Sequence, residues 1–272
     1  MVESQALALV NSWPVDTVAV AVVNKDGIVA RTGPDTNLPW ASVTKPLTAL
    51  TVLAAVDDGL VSLDDPAGPP GSTVRHLLAH ASGLNLGDDR VMGRPGQRRI
   101  YSNRGFEVLG EFVAERAEGS FADLMIDLVL DQIDMPSTVL DGSPASKVTG
   151  PIGDLATLAR ELLDPTIAPA LTREAAKVAF PGLSGVLPGY GRQDPNDWGL
   201  GFEIRSTKSP HWTGSANSPA TFGHFGQTGT FLWVDPVAGL ACACLTDRDF
   251  GDWAIPLWPA LSDAVLAEFA QP

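Results

Sequence analysis

The sequence predicts an α/β fold of the α+β type, in which an antiparallel sheet is flanked by N- and C-terminal helices and carries an inserted helical lobe. Three observations predict it. Strand patterns joined by short turns lie near both ends of the chain, helical periodicity fills the middle, and an amphipathic helix closes the chain at about 255–269. Strands that follow one another through short turns pair antiparallel, which gives the expected sheet.

The first element is a strand pair in "DTVAVAVVNKDGIVARTG", which turns at Lys25-Asp26-Gly27, where Asp-Gly is a strong hairpin signal. A helical pattern then runs from Thr44 to about Asp57, and the prolines and glycines of "SLDDPAGPPGST" end it. We therefore place residues 1–57 in the α/β lobe.

Helical patterns dominate residues 58–197, the predicted helical lobe. They occupy "TVRHLLAHA", "NRGFEVLGEFVAERAEG", "SFADLMIDLVLDQI" with Ser120 as N-cap, "GPIGDLATLARELLD" and "LTREAAKVAF". After a Gly/Pro-rich stretch at 181–195, strand patterns return in "GLGFEIRS", "ATFGHFGQTG", "TFLWVDPVAG" and "LACACLTD". Residues 198–272 therefore rejoin the α/β lobe, and an active site is expected between the lobes.

Composition narrows the classes of function. The 272 residues are 44% hydrophobic, enough for one sizeable core, and 32 acidic against 18 basic residues give a net charge of −14. This charge argues against nucleic acid and anionic membrane surfaces as partners. No stretch approaches the roughly 20 apolar residues of a membrane span. A small molecule is the expected partner.

Two features predict a cytoplasmic location. The start "MVESQALALVNSW" has no basic n-region and only a short apolar run, so no signal peptide is expected. Cys242 and Cys244 sit two apart on one predicted strand, too close to bridge easily, and are expected to be buried thiols in a reducing compartment.

The stretch "WASVTKPLTAL" places Lys45 three residues after Ser42 in an apolar, helix-forming run. Residues three apart lie on one helix face, so hydroxyl and amine are expected to meet. Burial lowers the pKa of a lysine, and a neutral amine can take the proton of a serine. A Ser-x-x-Lys motif is short enough to occur in a sequence by chance. The alternative is a Lys45 that reaches the lobe surface, with Ser42 as a simple N-cap.

Two further stretches bear on this choice. "RRIYSNRGFEVLG" places Tyr101 and Asn103 just before a helix, where a phenol, partly as phenolate, could act as a second base or proton shuttle and Asn103 could bind the lysine or a substrate amide. "FGHFGQTGTF" is a glycine-spaced strand, which a substrate lying along its edge would explain. Taken singly, the first also fits a buried tyrosine beside a helix cap, and the second a bulge or tight strand packing.

Together these stretches resemble one family. The sequence resembles the serine β-lactamase and penicillin-binding-protein superfamily. It is most similar to the class C branch, which includes D-alanyl-D-alanine carboxypeptidases and related esterases. The three motifs of that superfamily match, in the same chain order, Ser42-Val-Thr-Lys45, Tyr101-Ser-Asn103 and His224-Phe-Gly226. The flanking "LLAHASGL", "IDMPST" and "GDLATLARELL" agree, so the resemblance covers nearly the whole chain.

The resemblance implies an acyl-enzyme mechanism. Ser42 would attack a carbonyl, and Lys45 and Tyr101 would move its proton. The backbone N–H groups of Ser42 and Gln227 would form an oxyanion hole, and Asn103 would orient Lys45 or the acyl chain. No cofactor is implied.

The third motif departs from the family pattern. The lactamases usually have Lys-Thr-Gly and some peptidases His-Thr-Gly, whereas here Phe225 stands between His224 and Gly226, the residues expected along the substrate. The change removes a hydroxyl that would help to hold a carboxylate, and the histidine can be neutral near pH 7. We therefore expect a neutral ester or amide to be preferred over a penicillin or a peptide ending in carboxylate. Three residues could compensate: Thr228, Arg98 and Arg99.

The predicted function is that of an esterase-like serine hydrolase acting on a small ester, amide or lactam. The alternatives are a β-lactamase or carboxypeptidase and, from another class, a non-catalytic binding module on the same fold. His76 and His80 have the four-residue spacing of zinc ligands, but no Glu follows His76 and the sequence offers no evident third ligand. No metal site is predicted.

Overall fold

Within residues 4–270, which a computed structural model describes, the chain forms a mixture of strands and helices. The strands are β1 (Val18–Asn24), β2 (Gly27–Thr32), β3 (Leu38–Pro39), β4 (Val139–Leu140), β5 (Val148–Gly150), β6 (Gly185–Leu187), β7 (Gly191–Gln193), β8 (Glu203–Ile204), β9 (Phe222–Gly226), β10 (Thr230–Asp235) and β11 (Leu240–Thr246). The α-helices are α1 (Gln5–Ala8), α2 (Thr44–Asp57), α3 (Val74–Leu78), α4 (Asn103–Ala117), α5 (Phe121–Met125), α6 (Ile152–Leu163), α7 (Pro169–Ala175) and α8 (Ala254–Phe269). None of the helices in this range is both long and apolar enough to cross a bilayer.

Six strands form one antiparallel sheet in the order β2-β1-β11-β10-β9-β8. The predicted hairpin at Lys25-Asp26-Gly27 joins β1 to β2, and β1 lies beside β11 with Val18 opposite Thr246. The N-terminal hairpin and the C-terminal strands therefore share a sheet. This confirms the fold class that the sequence predicts.

Both faces of the sheet are buried, because neighbouring residues of a strand point to opposite sides. On one face, Val20 and Val22 of β1 share a core with Cys242 and Cys244 of β11 and with residues of α1 and α8. The other face joins the larger core, in which α6 packs against β1, β10 and β11. The two cysteines are buried and unpaired, as predicted.

Helix α2 lies between the sheet and the helical part of the molecule. It contacts β9 on one side and α4, α5 and α7 on others, and it is buried around almost its whole circumference. A helix that is apolar all round is a core helix, so its polar residues need internal partners. Lys45 belongs to this helix.

Three parts of the fold differ from the sequence-based expectation. Helix α6 falls in segment 58–197, yet it covers the sheet, because its apolar face packs against β1, β10 and β11. The Gly/Pro-rich stretch 181–195 contains the β6–β7 hairpin. Strands β3, β5 and β4 form a small separate sheet. These strands are too short to leave a periodic pattern.

Candidate active site

Ser42 lies in a 3₁₀ turn, Ala41–Val43, that runs directly into α2. Ala41 has φ of 46°, a left-handed conformation that is rare for a residue with a Cβ, so the surrounding packing must hold it. As the second residue of the turn, Ser42 has a backbone N–H with no helical acceptor. The turn thus presents both the hydroxyl and a free N–H at the start of a buried helix.

Lys45 is fully buried, and its Nζ lies among four oxygens. The distances are 3.3 Å to Ser42 Oγ, 2.7 Å to Tyr101 OH, 2.8 Å to Asn103 Oδ1 and 2.9 Å to the carbonyl oxygen of Ala145. Burial lowers the pKa of Lys45 well below its ordinary 10.5, which favours the neutral amine. The alternative of a surface-reaching lysine is therefore wrong.

The partners of Lys45 suit a neutral amine. Asn103 Oδ1 and the Ala145 carbonyl can only accept, so they take the two N–H groups. The remaining lone pair is then available to a hydroxyl of Ser42 or Tyr101. Ala145 was not predicted, and no sequence signal could have found it, because it contributes only a backbone carbonyl.

Tyr101 completes a triangle with Ser42 and Lys45, since its OH donates to Ser42 Oγ at 2.8 Å. Burial raises the pKa of this phenol above its ordinary 10. The arrangement therefore favours a neutral proton relay over a phenolate. Ser102 caps α4 by accepting the Gly105 N–H at 2.9 Å, which holds Tyr101 just ahead of the helix.

His80 buttresses this triangle. Its ring centroid lies 4.6 Å from that of Tyr101 and 4.7 Å from that of Trp198, and its Nδ1 accepts the Ser102 N–H at 3.1 Å. His80 thus fixes both the ring and the neighbouring backbone of Tyr101. The zinc-ligand spacing between His76 and His80 in the sequence did not predict this role.

A cavity of about 250 Å³ opens beside Ser42. Its lining combines predicted site residues with others remote in sequence: Ser42, Leu86, Tyr101, Asn103, Leu187, Pro188, Trp198, Glu203, His224, Phe225 and Gln227. No lysine or arginine is among these eleven described lining residues, and five of them are apolar. The unpredicted ones lie on loops and on the short strands β6 and β8, which carry no periodic signal.

The one carboxylate in this lining, that of Glu203, has its negative charge compensated by buried partners. Glu203 accepts from His211 Nε2 at 2.8 Å and Trp212 Nε1 at 2.9 Å, and it pairs with the buried Lys208. Burial alone raises the pKa of Glu203, but the charges and hydrogen bonds of His211 and Lys208 outweigh it and hold the pKa at about 2. Glu203 is therefore a fixed part of the wall.

His224 lines the same cavity as a neutral ring. It is 4% exposed, and burial lowers its pKa to about 3, with Lys45 adding to this shift only when its amine is protonated. Nδ1 lies 2.7 Å from the carbonyl oxygen of Phe225, which can only accept, so Nδ1 carries the proton. Nε2 keeps its lone pair and has no hydrogen-bond partner among residues 4–270. His224 therefore has no N–H left for a carboxylate.

The buried histidines should make the protein acid-sensitive. The folded pKa of His224 lies below the ordinary 6.5, so between about 6.5 and 3 the unfolded state binds a proton that the native state does not, and stability falls as the pH falls. At 1.36 kcal/mol per pKa unit, this histidine costs about 3 kcal/mol at pH ~4.5. In denaturant titrations at pH 7 and 4.5, His224→Gln should show a smaller loss of stability than the wild type. The half-buried His76→Gln is the control, and equal losses in all three proteins would contradict this assignment.

Gly226 lets β9 approach the Ser42 turn. A Cβ at this position would lie 2.6 Å from the carbonyl oxygen of Trp40 and 3.0 Å from the Cβ of Ala41. Gly229 N–H donates to the Gly226 carbonyl at 3.1 Å, which fixes the peptide unit that carries the Gln227 N–H. Across residues 4–270 that N–H donates to no protein acceptor. Together with the Ser42 N–H it could receive an oxyanion.

Adding a single methyl group here should therefore damage both activity and folding. Gly226→Ala forces β9 away from the Ser42 turn, and we expect a loss of about a hundredfold in kcat/KM, as for loss of one oxyanion donor. The free energy of unfolding should fall by about 1–3 kcal/mol through overpacking. Gly119→Ala, whose Cβ would meet only the Ala117 carbonyl at 3.8 Å, is the matched control. An unimpaired Gly226→Ala would show that this contact does not position the site.

Two of the three residues suggested to compensate for the missing hydroxyl of the third motif make hydrogen bonds elsewhere. Arg99 is 2% exposed, and every acceptor of its guanidinium in the described part of the chain is a backbone carbonyl, among them those of Ala79 and Ala179. Thr228 Oγ1 donates to the Pro39 carbonyl at 2.9 Å. Arg98 is exposed but lies outside the cavity lining. None of the three places a positive charge beside Ser42.

An antiparallel sheet covered by helices, with a serine and a buried lysine one turn apart at the start of the central helix, gives this chain a serine hydrolase fold. The family model described as "Beta-lactamase" matches residues 13–265. The chain belongs to the beta-lactamase family.

Solved structures agree with this assignment. A protein of Mycobacterium bovis, described as a β-lactamase, is 53% identical, with a TM-score of 0.97 over 98% of this chain and 100% of that one. EstCE1, described as a hydrolase with promiscuous acyltransferase activity, is 16% identical, with a TM-score of 0.78 over 96% of both chains, and shows the fold alone.

An uncharacterised protein of Alkalihalophilus pseudofirmus is 30% identical over 115 residues. That match spans 38% of this chain and about a third, 34%, of that relative's length.

Proposed function

We propose that this protein hydrolyses a small ester or amide through an acyl-enzyme on Ser42, as an esterase-like member of its family. The observation that carries the proposal is the buried Lys45 amine within hydrogen-bonding reach of both Ser42 Oγ and Tyr101 OH. A binding pocket has no need of a desolvated amine beside a hydroxyl, whereas a nucleophile needs such a base.

The proposed reaction has two half-steps. Ser42 Oγ bonds to the carbonyl carbon while its proton passes to Lys45 Nζ, directly or through Tyr101, and the N–H groups of Ser42 and Gln227 hold the oxyanion. The tetrahedral adduct collapses, and the leaving oxygen or nitrogen takes that proton and departs. Water then attacks the acyl-Ser42, gives one proton back through the same relay and releases the acid, so that the resting state is restored.

The cavity supports a substrate that is uncharged around its scissile carbonyl. Its described lining has no lysine or arginine, and His224 has its only N–H bound to Phe225. A carboxylate a few atoms from the carbonyl, as in a penicillin, would face the lone pair of His224 and the apolar ring of Phe225. Burying an unpaired charge there is costly.

Trapping of the acyl-enzyme tests the proposal. On mixing with excess p-nitrophenyl acetate, the wild type should release a burst of about one p-nitrophenolate per protein if deacylation is slower than acylation. Peptide mass mapping after an acid quench should place an acetyl group on the peptide that contains Ser42. Turnover with acetylation of another residue, or no turnover and no adduct, would overturn the proposal and favour a non-catalytic binding module.

A second candidate function is β-lactamase activity, or the related carboxypeptidase activity. It is favoured by the 53% identity with the M. bovis protein that is described as a β-lactamase. The two candidates separate in one comparison of kcat/KM for nitrocefin and for p-nitrophenyl acetate on the same preparation. Efficient nitrocefin turnover would replace the esterase proposal, whereas a large excess for the ester supports it.

A further inference from the structure

A second groove, of about 460 Å³, adjoins the catalytic cavity. The two share Leu86, Tyr101 and Pro188 in their linings, so a molecule bound at Ser42 could extend into the groove. The groove lies between the loop that precedes Tyr101 and the β6–β7 hairpin. Neither the family motifs nor the reaction at Ser42 accounts for it.

The floor of the groove is rigid. Arg99 N–H donates to the Ser184 carbonyl at 2.9 Å, and Arg99 pairs with Gly185 as an isolated bridge. A Cβ on Gly185 would lie 2.7 Å from that of Arg99, so the two segments are in close contact. The buried guanidinium of Arg99 ties the same segment to the core. The groove is therefore a built feature and not a gap between loose loops.

The walls combine exposed apolar side chains with positive charge. Leu86, Met92 and Val186 are 51%, 41% and 60% exposed, large fractions for such side chains. Arg98 and Arg192 lie among them, and none of the described lining residues is acidic. The chain has a net charge of −14, so an acid-free groove with two exposed arginines is a positively charged region on a negatively charged protein.

The two guanidinium groups are available to a ligand. Arg98 Nη2 donates to the Met92 carbonyl at 2.7 Å, and among the described residues Arg98 has no acidic partner. Arg192 has a 3.8 Å contact with Asp194, and both of these side chains are largely exposed, so the pairing is weak. A planar guanidinium with free N–H groups matches the geometry of a carboxylate.

We propose that this groove binds a carboxylate at the far end of the hydrolase substrate, held by Arg98 and Arg192 after an apolar spacer that lies along Leu86, Met92 and Val186. The inference rests on the proposed function at Ser42 and names the substrate class more closely. Such a substrate is uncharged around its scissile bond and anionic at a distance. This separates it from a penicillin, whose carboxylate lies next to the reacting ring.

Two pairs of matched esters test the proposal. The acyl-side pair is p-nitrophenyl hexanoate and the mono-p-nitrophenyl ester of adipic acid, and the alcohol-side pair is hexyl acetate and the acetate of ω-hydroxyhexanoic acid. Within each pair only the terminal carboxylate differs. In at least one pair, the wild type should favour the anionic ester about fivefold in kcat/KM at low ionic strength, and added salt should reduce that ratio.

Variants assign the preference to the two arginines. The double variant Arg98→Gln/Arg192→Gln should bring the anionic-to-neutral ratio to one or below. Arg94→Gln removes a charge from the same loop outside the groove lining and should keep the wild-type ratio. The ratio cancels any general loss of active protein. Equal ratios in wild type and double variant, or no anionic preference in either pair, would overturn the proposal while leaving ester hydrolysis by Ser42 intact.

A binding measurement covers the case in which no ester is turned over. Hexanoate, which carries one carboxylate on an apolar chain, should bind the wild type in calorimetry and bind the double variant at least about fivefold more weakly. Absence of hexanoate binding would overturn the groove proposal by itself. Failure of acylation at Ser42 would instead count against the proposed function, so the two failures are distinguishable.

Discussion

Ser42→Ala should abolish ester hydrolysis. We expect kcat/KM for p-nitrophenyl acetate to fall by about five orders of magnitude or to the rate of the uncatalysed reaction, because loss of a serine nucleophile removes the covalent route. The fold should be unaffected. Within the described residues the hydroxyl hydrogen-bonds to Lys45 and Tyr101 alone, and these two keep each other as partners at 2.7 Å.

The control for this variant is Ser12→Ala, which removes an exposed hydroxyl that donates to the Leu9 carbonyl. It should retain full activity. Both variants should unfold within about 2 °C of the wild type, since each loses less than about 0.5 kcal/mol. A Ser42→Ala protein with wild-type turnover would exclude Ser42 as the nucleophile.

Lys45→Met should separate activity from stability. Methionine fills most of the volume of the lysine stem but cannot take a proton, so we expect kcat/KM to fall by about a thousandfold, the range for loss of a general base. Folding loses all the hydrogen bonds of the amine, those to Asn103 and the Ala145 carbonyl and those shared with the hydroxyls of Ser42 and Tyr101, but no longer has to bury an amine. These effects oppose each other, and the free energy of unfolding should change by less than about 2 kcal/mol.

The exposed Lys147→Met is the matched control for this charge and volume change, and it should keep both activity and stability. The pH dependence adds a second readout. Since burial lowers the pKa of Lys45, the base is unprotonated at a pH well below 10.5, and kcat/KM of the wild type should fall as the pH drops through that lowered pKa. Residual activity of Lys45→Met that still follows the wild-type acid limb would show that another group is the base.

Sequence alone determined the strongly patterned elements and the ordered motifs. The hairpin at Asp26-Gly27, helix α2 from Thr44 to Asp57, the strands β9 to β11 and the last helix all follow local signals of turn chemistry and periodicity. The residues grouped around Ser42 were predicted because their motifs resemble a family. The structure brings Ser42, Lys45, Tyr101 and Asn103 within hydrogen-bonding distance.

Only the tertiary structure decided what surrounds that group. The carbonyl of Ala145, the walls at Trp198 and Glu203, and the groove with Arg98 and Arg192 come from segments far apart in sequence. The role of Arg99 also became clear only in the folded protein. The sequence does not show which groups its guanidinium contacts, whereas in the structure it donates to buried carbonyls. Local patterns depend on neighbours within a few residues, but a pKa, a cavity or a charge reversal depends on which distant segments pack together, and that information exists only after folding.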